Sequence, residues 1–117
     1  MTGLTFQGLD VIAYATLTVS STPVSLADGS PALLSGKVNN NLITRALITV
    51  ENDNVRWRAD GTPPTTSEGH KLFDGDSITF IDANYSQLLA NIQFARVTSD
   101  AALKITYFRS QGDYVSK

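Results

Sequence analysis

Apolar and polar residues alternate along most of this chain, and clusters of Gly, Pro, Asn, Asp and Ser interrupt the alternation. Val11 to Val19 (VIAYATLTV) is rich in β-branched and aromatic residues and predicts a strand. Ser20-Ser21-Thr22-Pro23 breaks it, and Val24-Ser25-Leu26 predicts a short strand before a turn at Asp28-Gly29-Ser30-Pro31. Ala32 to Gly36 reads as strand or a single helical turn, and Asn39-Asn40-Asn41 as a loop. Leu42 to Glu51 alternates with apolar residues on both faces, the pattern of a strand covered on both sides. Asn52-Asp53-Asn54 then reads as a hairpin link to a strand with Val55, Trp57 and Ala59 on one side and Arg56 and Arg58 on the other.

That strand breaks into Asp60-Gly61-Thr62-Pro63-Pro64, resumes at His70-Lys71-Leu72-Phe73, turns at Asp74-Gly75-Asp76 and re-enters a strand from Ser77 to Ile81. Asp82 to Leu89 reads as a connection with a helical turn capped by Asp82. Asn91 to Thr98 predicts a strand whose core face passes from Ile92 and Phe94 to Ala95 and Val97, which calls for a bulge. Ala102 to Arg109 predicts the last strand, with Leu103, Ile105 and Tyr107 opposite Lys104, Thr106 and Phe108. Seven or eight short strands separated by turn signals predict an all-β fold, an antiparallel β-sandwich or jelly-roll-like barrel. Residues 1–10 read as an N-terminal arm, 11–109 as a single domain and 110–117 as a polar tail.

Composition narrows the functional classes. At 117 residues and 42% hydrophobic the chain holds enough for one core. A net charge of -2 supplies no basic field for direct nucleic-acid binding. There is no cysteine, so neither disulfides nor thiol chemistry is available. No apolar run approaches the ~20 residues of a membrane span, and Met1-Thr2-Gly3-Leu4 lacks a signal-peptide pattern, so the expectation is a soluble, unprocessed protein made in a cytoplasm and not bound to membrane.

Candidate chemistry is sparse. His70 is the sole histidine, too few for a cupin-like metal site. Asp60, Glu68, Asp74 and Asp76 match no calcium-loop spacing, and their expected role is to shape turns by bonding nearby amides. A Ser–His–Asp set lacks any nucleophile elbow. We therefore expect no enzyme, no metal and no cofactor, and His70 is expected to hydrogen-bond the Pro63–Gly69 excursion. Arg56 and Arg58 share a strand face. With Arg45 on the preceding strand of the expected hairpin, and Arg96 joining from a later one, they predict either a basic face for an acidic partner or a solvated face paired with Glu51 or Asp60. Trp57 is expected in the core beside Ile48, Phe80, Ile105 and Tyr107, with an exposed platform for sugar or a partner chain as the alternative. Leu4, Phe6 and Leu9 are apolar residues of the arm that call for a partner. The candidate interface set is thus Leu4, Phe6, Leu9, Arg45, Arg56 and Arg58.

One stretch carries a resemblance. Ala46-Leu47-Ile48-Thr49-Val50, Val55-Arg56-Trp57-Arg58, Asp60-Gly61-Thr62, Pro64-Thr65, Gly69-His70, Leu72, Gly75-Asp76-Ser77 and Ala101 to Tyr107 together resemble small virion structural proteins of tailed bacteriophages and prophages, over roughly residues 42–108. The resemblance implies a non-enzymatic virion protein, foremost a capsid decoration or cement protein. Its implied partners are copies of itself, a trimer first, and the major capsid protein or another virion protein. Its implied location is the virion, after synthesis in the host cytoplasm. The alternative is a carbohydrate- or receptor-binding β-sandwich module of a tail or fibre.

Overall fold

The computed structural model describes residues 9–29, 43–82 and 88–110. These form strands β1 (Leu9–Val19), β2 (Val24–Ser25), β3 (Arg45–Glu51), β4 (Val55–Arg58), β5 (His70–Leu72), β6 (Ser77–Ile81), β7 (Gln93–Arg96) and β8 (Ala101–Ser110), with single-turn helices α1 (Leu26–Gly29) and α2 (Leu88–Asn91). The strands make two four-stranded sheets, ordered β1-β8-β3-β6 and β2-β7-β4-β5, and every pairing is antiparallel. The pairs β1·β8, β2·β7, β3·β6 and β4·β5 are nested, so the chain behaves as one long hairpin laid alternately across two sheets. That is the jelly-roll arrangement of a β-sandwich.

The core follows from alternation. Ala46, Ile48 and Val50 of β3 and Leu103, Ile105 and Tyr107 of β8 point inward and are almost fully buried. Leu17 and Val19 of β1, Phe80 of β6, Val55 of β4 and Phe94 of β7 join them from the neighbouring strands of both sheets. Two capped turns close the edges. Ser25 and Asp28 bond reciprocally, Ser25 N to Asp28 Oδ2 at 2.8 Å and Asp28 N to Ser25 Oγ at 3.2 Å, a capping box on α1. Asp82 is buried and accepts from Leu89 N at 3.5 Å, so it reaches the helical turn across the link, and that turn lies at Leu88–Asn91, later than the Asp82–Leu89 connection in which it was expected and over Asn91, where the strand was expected to begin.

Several expectations are corrected. β3 and β4 do not pair: β3 lies between β8 and β6, and β4 lies between β7 and β5 in the other sheet. Asn52–Asn54 is therefore an arch from sheet to sheet, with Asn52 at φ 78°. Its side chains explain the choice. Asp53 Oδ2 accepts from Thr98 N at 2.9 Å and Ser99 N at 2.5 Å, and Asn54 Oδ1 accepts from Asp74 N at 2.8 Å. Asn54 O also accepts from Val97 N, and Ser20 O from Arg96 N. The links β1–β2, β3–β4, β5–β6 and β7–β8 are thus tied together at one end of the sandwich, and a hairpin would leave these amides unbonded.

The bulge falls in β1, not in β7. The register against β8 shifts between Val11 and Ala13, leaving Ile12 as the extra residue. Leu26 belongs to α1, so the second strand ends at Ser25. Strand β1 begins at Leu9, which pairs with Ser110, so the regular domain starts two residues earlier than expected and Leu9 is strand, not arm. Leu4 and Phe6 lie outside the described residues, as do the segment 30–42 and the tail from 111.

Candidate functional site

Two surfaces stand out, an open cleft beside β4 and β5 and the outer face of the β1-β8-β3-β6 sheet.

The cleft begins with Trp57. Register places Trp57 opposite His70 on β5 and Phe94 on β7, so its side chain faces the sandwich interior. β5 is the edge of its sheet and starts at His70, so among the described strands none lies beyond it. Trp57 is half-buried rather than fully buried, and it packs against the core through Phe80, ring centroids 4.9 Å apart and nearly perpendicular. Ile48, Ile105 and Tyr107 belong to the core cluster against which Trp57 packs. On the other side the His70 ring lies 4.6 Å from the indole at a 36° tilt. His70 thus builds an aromatic wall with Trp57, and the hydrogen-bonding role expected of it falls to an arginine.

That arginine is Arg56, on the opposite face of β4. Its Nε donates to Thr66 O at 3.2 Å and its Nη1 to Gly69 O at 2.9 Å, which fastens the 59–69 loop back onto its own strand. The loop is further ordered by Thr65 N donating to Glu68 O at 2.9 Å and by the burial of Pro64. Gly69 is required where the loop returns. Its φ is +131°, and a Cβ there would sit 3.1 Å from Trp57 O and 3.2 Å from Pro64 Cβ. Arg58 turns the same way as Arg56 and makes a two-point ion pair with Asp60, Nε to Oδ1 at 3.0 Å and Nη2 to Oδ2 at 2.5 Å. This hydrogen bond holds the Asp60 carboxyl below the usual carboxylate range and raises the Arg58 guanidinium, which Glu68 also favours from nearby. Trp57, Arg58, Asp60, Glu68, Gly69 and His70 line a cleft of ≈ 550 Å³.

The predicted shared basic face is not assembled. Arg45 lies in the other sheet from Arg56 and Arg58. Arg96 sits opposite Val55, on the other side of its sheet from Arg56, and pairs with Asp100. Asp60 and Asp76 shape turns as expected: Asp76 Oδ2 accepts from Phe73 N at 2.8 Å, and Asp60 Oδ1 from Thr62 N at 3.4 Å. Among the described residues, no group of three or more His, Cys, Asp or Glu side chains is placed to hold a metal ion.

The second surface was not visible in the sequence. Across the outer face of the larger sheet, register aligns Val11, Phe108, Arg45 and Ile81 in one row and Tyr14, Thr106, Leu47 and Thr79 in the next. Val11, Tyr14 and Ile81 are 59%, 64% and 50% exposed, while Phe108 between them is buried. Arg45 lies within this apolar row, its Nε shielded from solvent and without a hydrogen bond. Towards the arch end the same face turns polar, with Thr16, Lys104, Thr49 and Ser77 in one row. Strict alternation from Ala13, Ala15 and Leu17 would send Val11 inward; the bulge at Ile12 reverses its phase, and no local signal announces that. A search against protein-family models and a search of curated proteins find no match to this chain.

Proposed function

We propose that this is a non-enzymatic virion structural protein that works by packing against copies of itself and against the capsid shell, as a decoration or cement protein. The observation that carries the reading is the set of exposed large hydrophobic side chains on the outer face of the larger sheet, where Val11, Tyr14 and Ile81 stand exposed in the rows that also hold the buried Phe108. An isolated exposed apolar residue needs no explanation, but three large ones on one sheet face, two on β1 and one on β6, are what a protein contact would cover. The patch borders both edge strands of the sheet, β1 and β6, so a neighbour seated there also shields unpaired backbone. The jelly-roll order supports the reading as a fold-level analogy, since it recurs in capsid domains, although it recurs in lectins too. The resemblance of residues 42–108 to phage virion proteins points the same way.

A homotrimer is the favoured assembly. Sedimentation of the wild type and of a Tyr14→Asp/Ile81→Asp variant tests the reading. The wild type is expected to sediment as an oligomer and to co-sediment with assembled capsids, and the variant to lose both while keeping its melting temperature within a few degrees. A wild-type monomer at high concentration that also fails to bind capsids overturns the proposal. A mass-spectrometric inventory of purified virions supplies the independent check.

A further inference from the structure

We infer that the two edges of the larger sheet are a matched pair, and that the β6 edge of one copy of this chain adds antiparallel to the β1 edge of the next. The inference rests on the self-assembly reading above and deepens it by naming the joint. A strand at a sheet edge offers a row of unpaired amides and carbonyls, which folded proteins ordinarily protect with short strands, lysines or prolines. The smaller sheet is protected in this way: β2 has two residues, and β5 has three with Lys71 at its centre. The larger sheet is not. β1 runs for 11 residues and β6 for 5, and neither residues 11–19 nor Ser77–Ile81 include a charge or a proline. Among the described residues, no backbone hydrogen bond outside the β1·β8 and β3·β6 ladders involves either stretch.

Direction, register and charge make a second copy the occupant. The order β1-β8-β3-β6 is antiparallel throughout, so β1 and β6 run in opposite senses at the two ends of the sheet. A second copy placed head-to-tail in the same orientation therefore continues the sheet with an antiparallel pair. Val11 and Ile81 stand at the two ends of one cross-sheet row, Tyr14 and Thr79 at the ends of the next, and Thr16 and Ser77 at the ends of the third. Joined along those rows, Ile81 of one copy meets Val11 of the next, Thr79 meets Tyr14, and Ser77 meets Thr16. The exposed large hydrophobic side chains of this face, Val11, Tyr14 and Ile81, all fall at the joint. The bulge at Ile12 is what brings Val11 into line. On the inner face the partly buried Ala13 and Ala15 share rows with Phe80 and Ile78, so small side chains meet large ones. All these pairs are uncharged, so the joint brings no like charges together.

Symmetric pairing of β1 with β1 fits less well. It covers Val11 and Tyr14 but leaves Ile81 exposed and the β6 edge of both copies open. Head-to-tail joining uses both edges of every copy and closes into a ring, as the favoured trimer requires.

The chain has no cysteine, so introduced thiols report on the joint alone. Positions 16 and 77 end one row, three strand spacings or ~14 Å apart within a copy, too far for an internal disulfide. Mild oxidation of Thr16→Cys/Ser77→Cys, both exposed positions, is expected to give a covalent multimer of the same size as the sedimenting oligomer. Each single variant is expected to stay unlinked, and an equimolar mixture of the two to give dimers and nothing larger. Thr18→Cys/Ser77→Cys, one row out of register, is expected to link about tenfold more slowly. Under reducing conditions all variants should melt as the wild type does. If the wild type sediments as an oligomer and the 16/77 double variant does not link, the joint is overturned and the assembly reading stands. Linking of Thr16→Cys by itself, as fast as the double variant, shows β1 against β1 and overturns it too. A wild-type monomer at high concentration overturns the joint whether or not it binds capsids.

Discussion

The two sheets are built differently. Strands β1, β8, β3 and β6 run for 11, 10, 7 and 5 residues. Strands β2, β7, β4 and β5 run for 2, 4, 4 and 3. In the larger sheet the backbone ladder and alternating apolar side chains carry the structure. The smaller sheet has little ladder to rely on, and individual side chains hold it: Arg56 on its loop, Asp60 on Arg58, Asp53 on the β7–β8 link. The lesson is a division of labour. Stability resides where pattern is regular, and the open cleft lies beside the short edge strand β5.

The strongest test of that division is the centre of β8. Ile105 is paired with Ala15 and Ile48 and is 1% exposed, so Ile105→Ala should cost about 3–4 kcal/mol in urea unfolding, the mid-range for deleting a buried branched side chain. Trp57→Ala removes a larger side chain from the smaller sheet, yet the half-buried indole should cost only about 2 kcal/mol. If Trp57→Ala proves the more damaging, the smaller sheet is not the secondary one.

Backbone strain gives the next contrast within the smaller sheet. Gly69→Ala meets both a positive φ and backbone at 3.1 Å, and should cost about 1–2 kcal/mol by thermal melting. Gly75→Ala has a positive φ but open space around the new methyl, and should cost about 1 kcal/mol. Arg56→Ala should cost about 1 kcal/mol and raise amide exchange through residues 60–69 without changing protection in β8. Uniform loss of protection across both sheets would show that the loop is part of the main cooperative unit.

The smallest expected effect concerns pH. Hydrogen bonds from the Ser99, Asn54 and Thr98 amides hold the Asp53 carboxyl below its ordinary value, so its charged form is bound more tightly in the folded state. That stabilisation is present above the unfolded value of about 3.9 and is lost as pH falls through the lower folded value. Asp53→Asn should therefore be less stable than wild type at neutral pH, and the gap should close on acidification below about pH 4. A gap that stays constant with pH would mean that the arch does not depend on the Asp53 charge.

Much of the fold was legible because strand formation is local. β-branched and aromatic runs at 11–19, 77–81 and 102–109 and the turn at Asp74–Asp76 depend on neighbours a few residues away. Gly69 was legible as part of a turn-rich loop, though not as the point where that loop touches Trp57. The exposed Val11 on the outer face was not legible, because a single extra residue at Ile12 inverts its phase.

The sequence by itself determined that this is an all-β chain, where most of its strands run and how Leu103, Ile105 and Tyr107 of β8 divide from Lys104, Thr106 and Phe108, since period two follows from backbone sterics. Tertiary structure alone decided which strands pair. A three-residue link such as Asn52–Asn54 suits a hairpin or an arch equally well. The arch forms here because Asp53 and Asn54 find amide partners 45, 46 and 20 residues away, contacts that exist only once both sheets are in place. That choice separates Arg45 from Arg56 and Arg58 and sets them on the outer faces of different sheets, so there are two surfaces where the linear order had implied one.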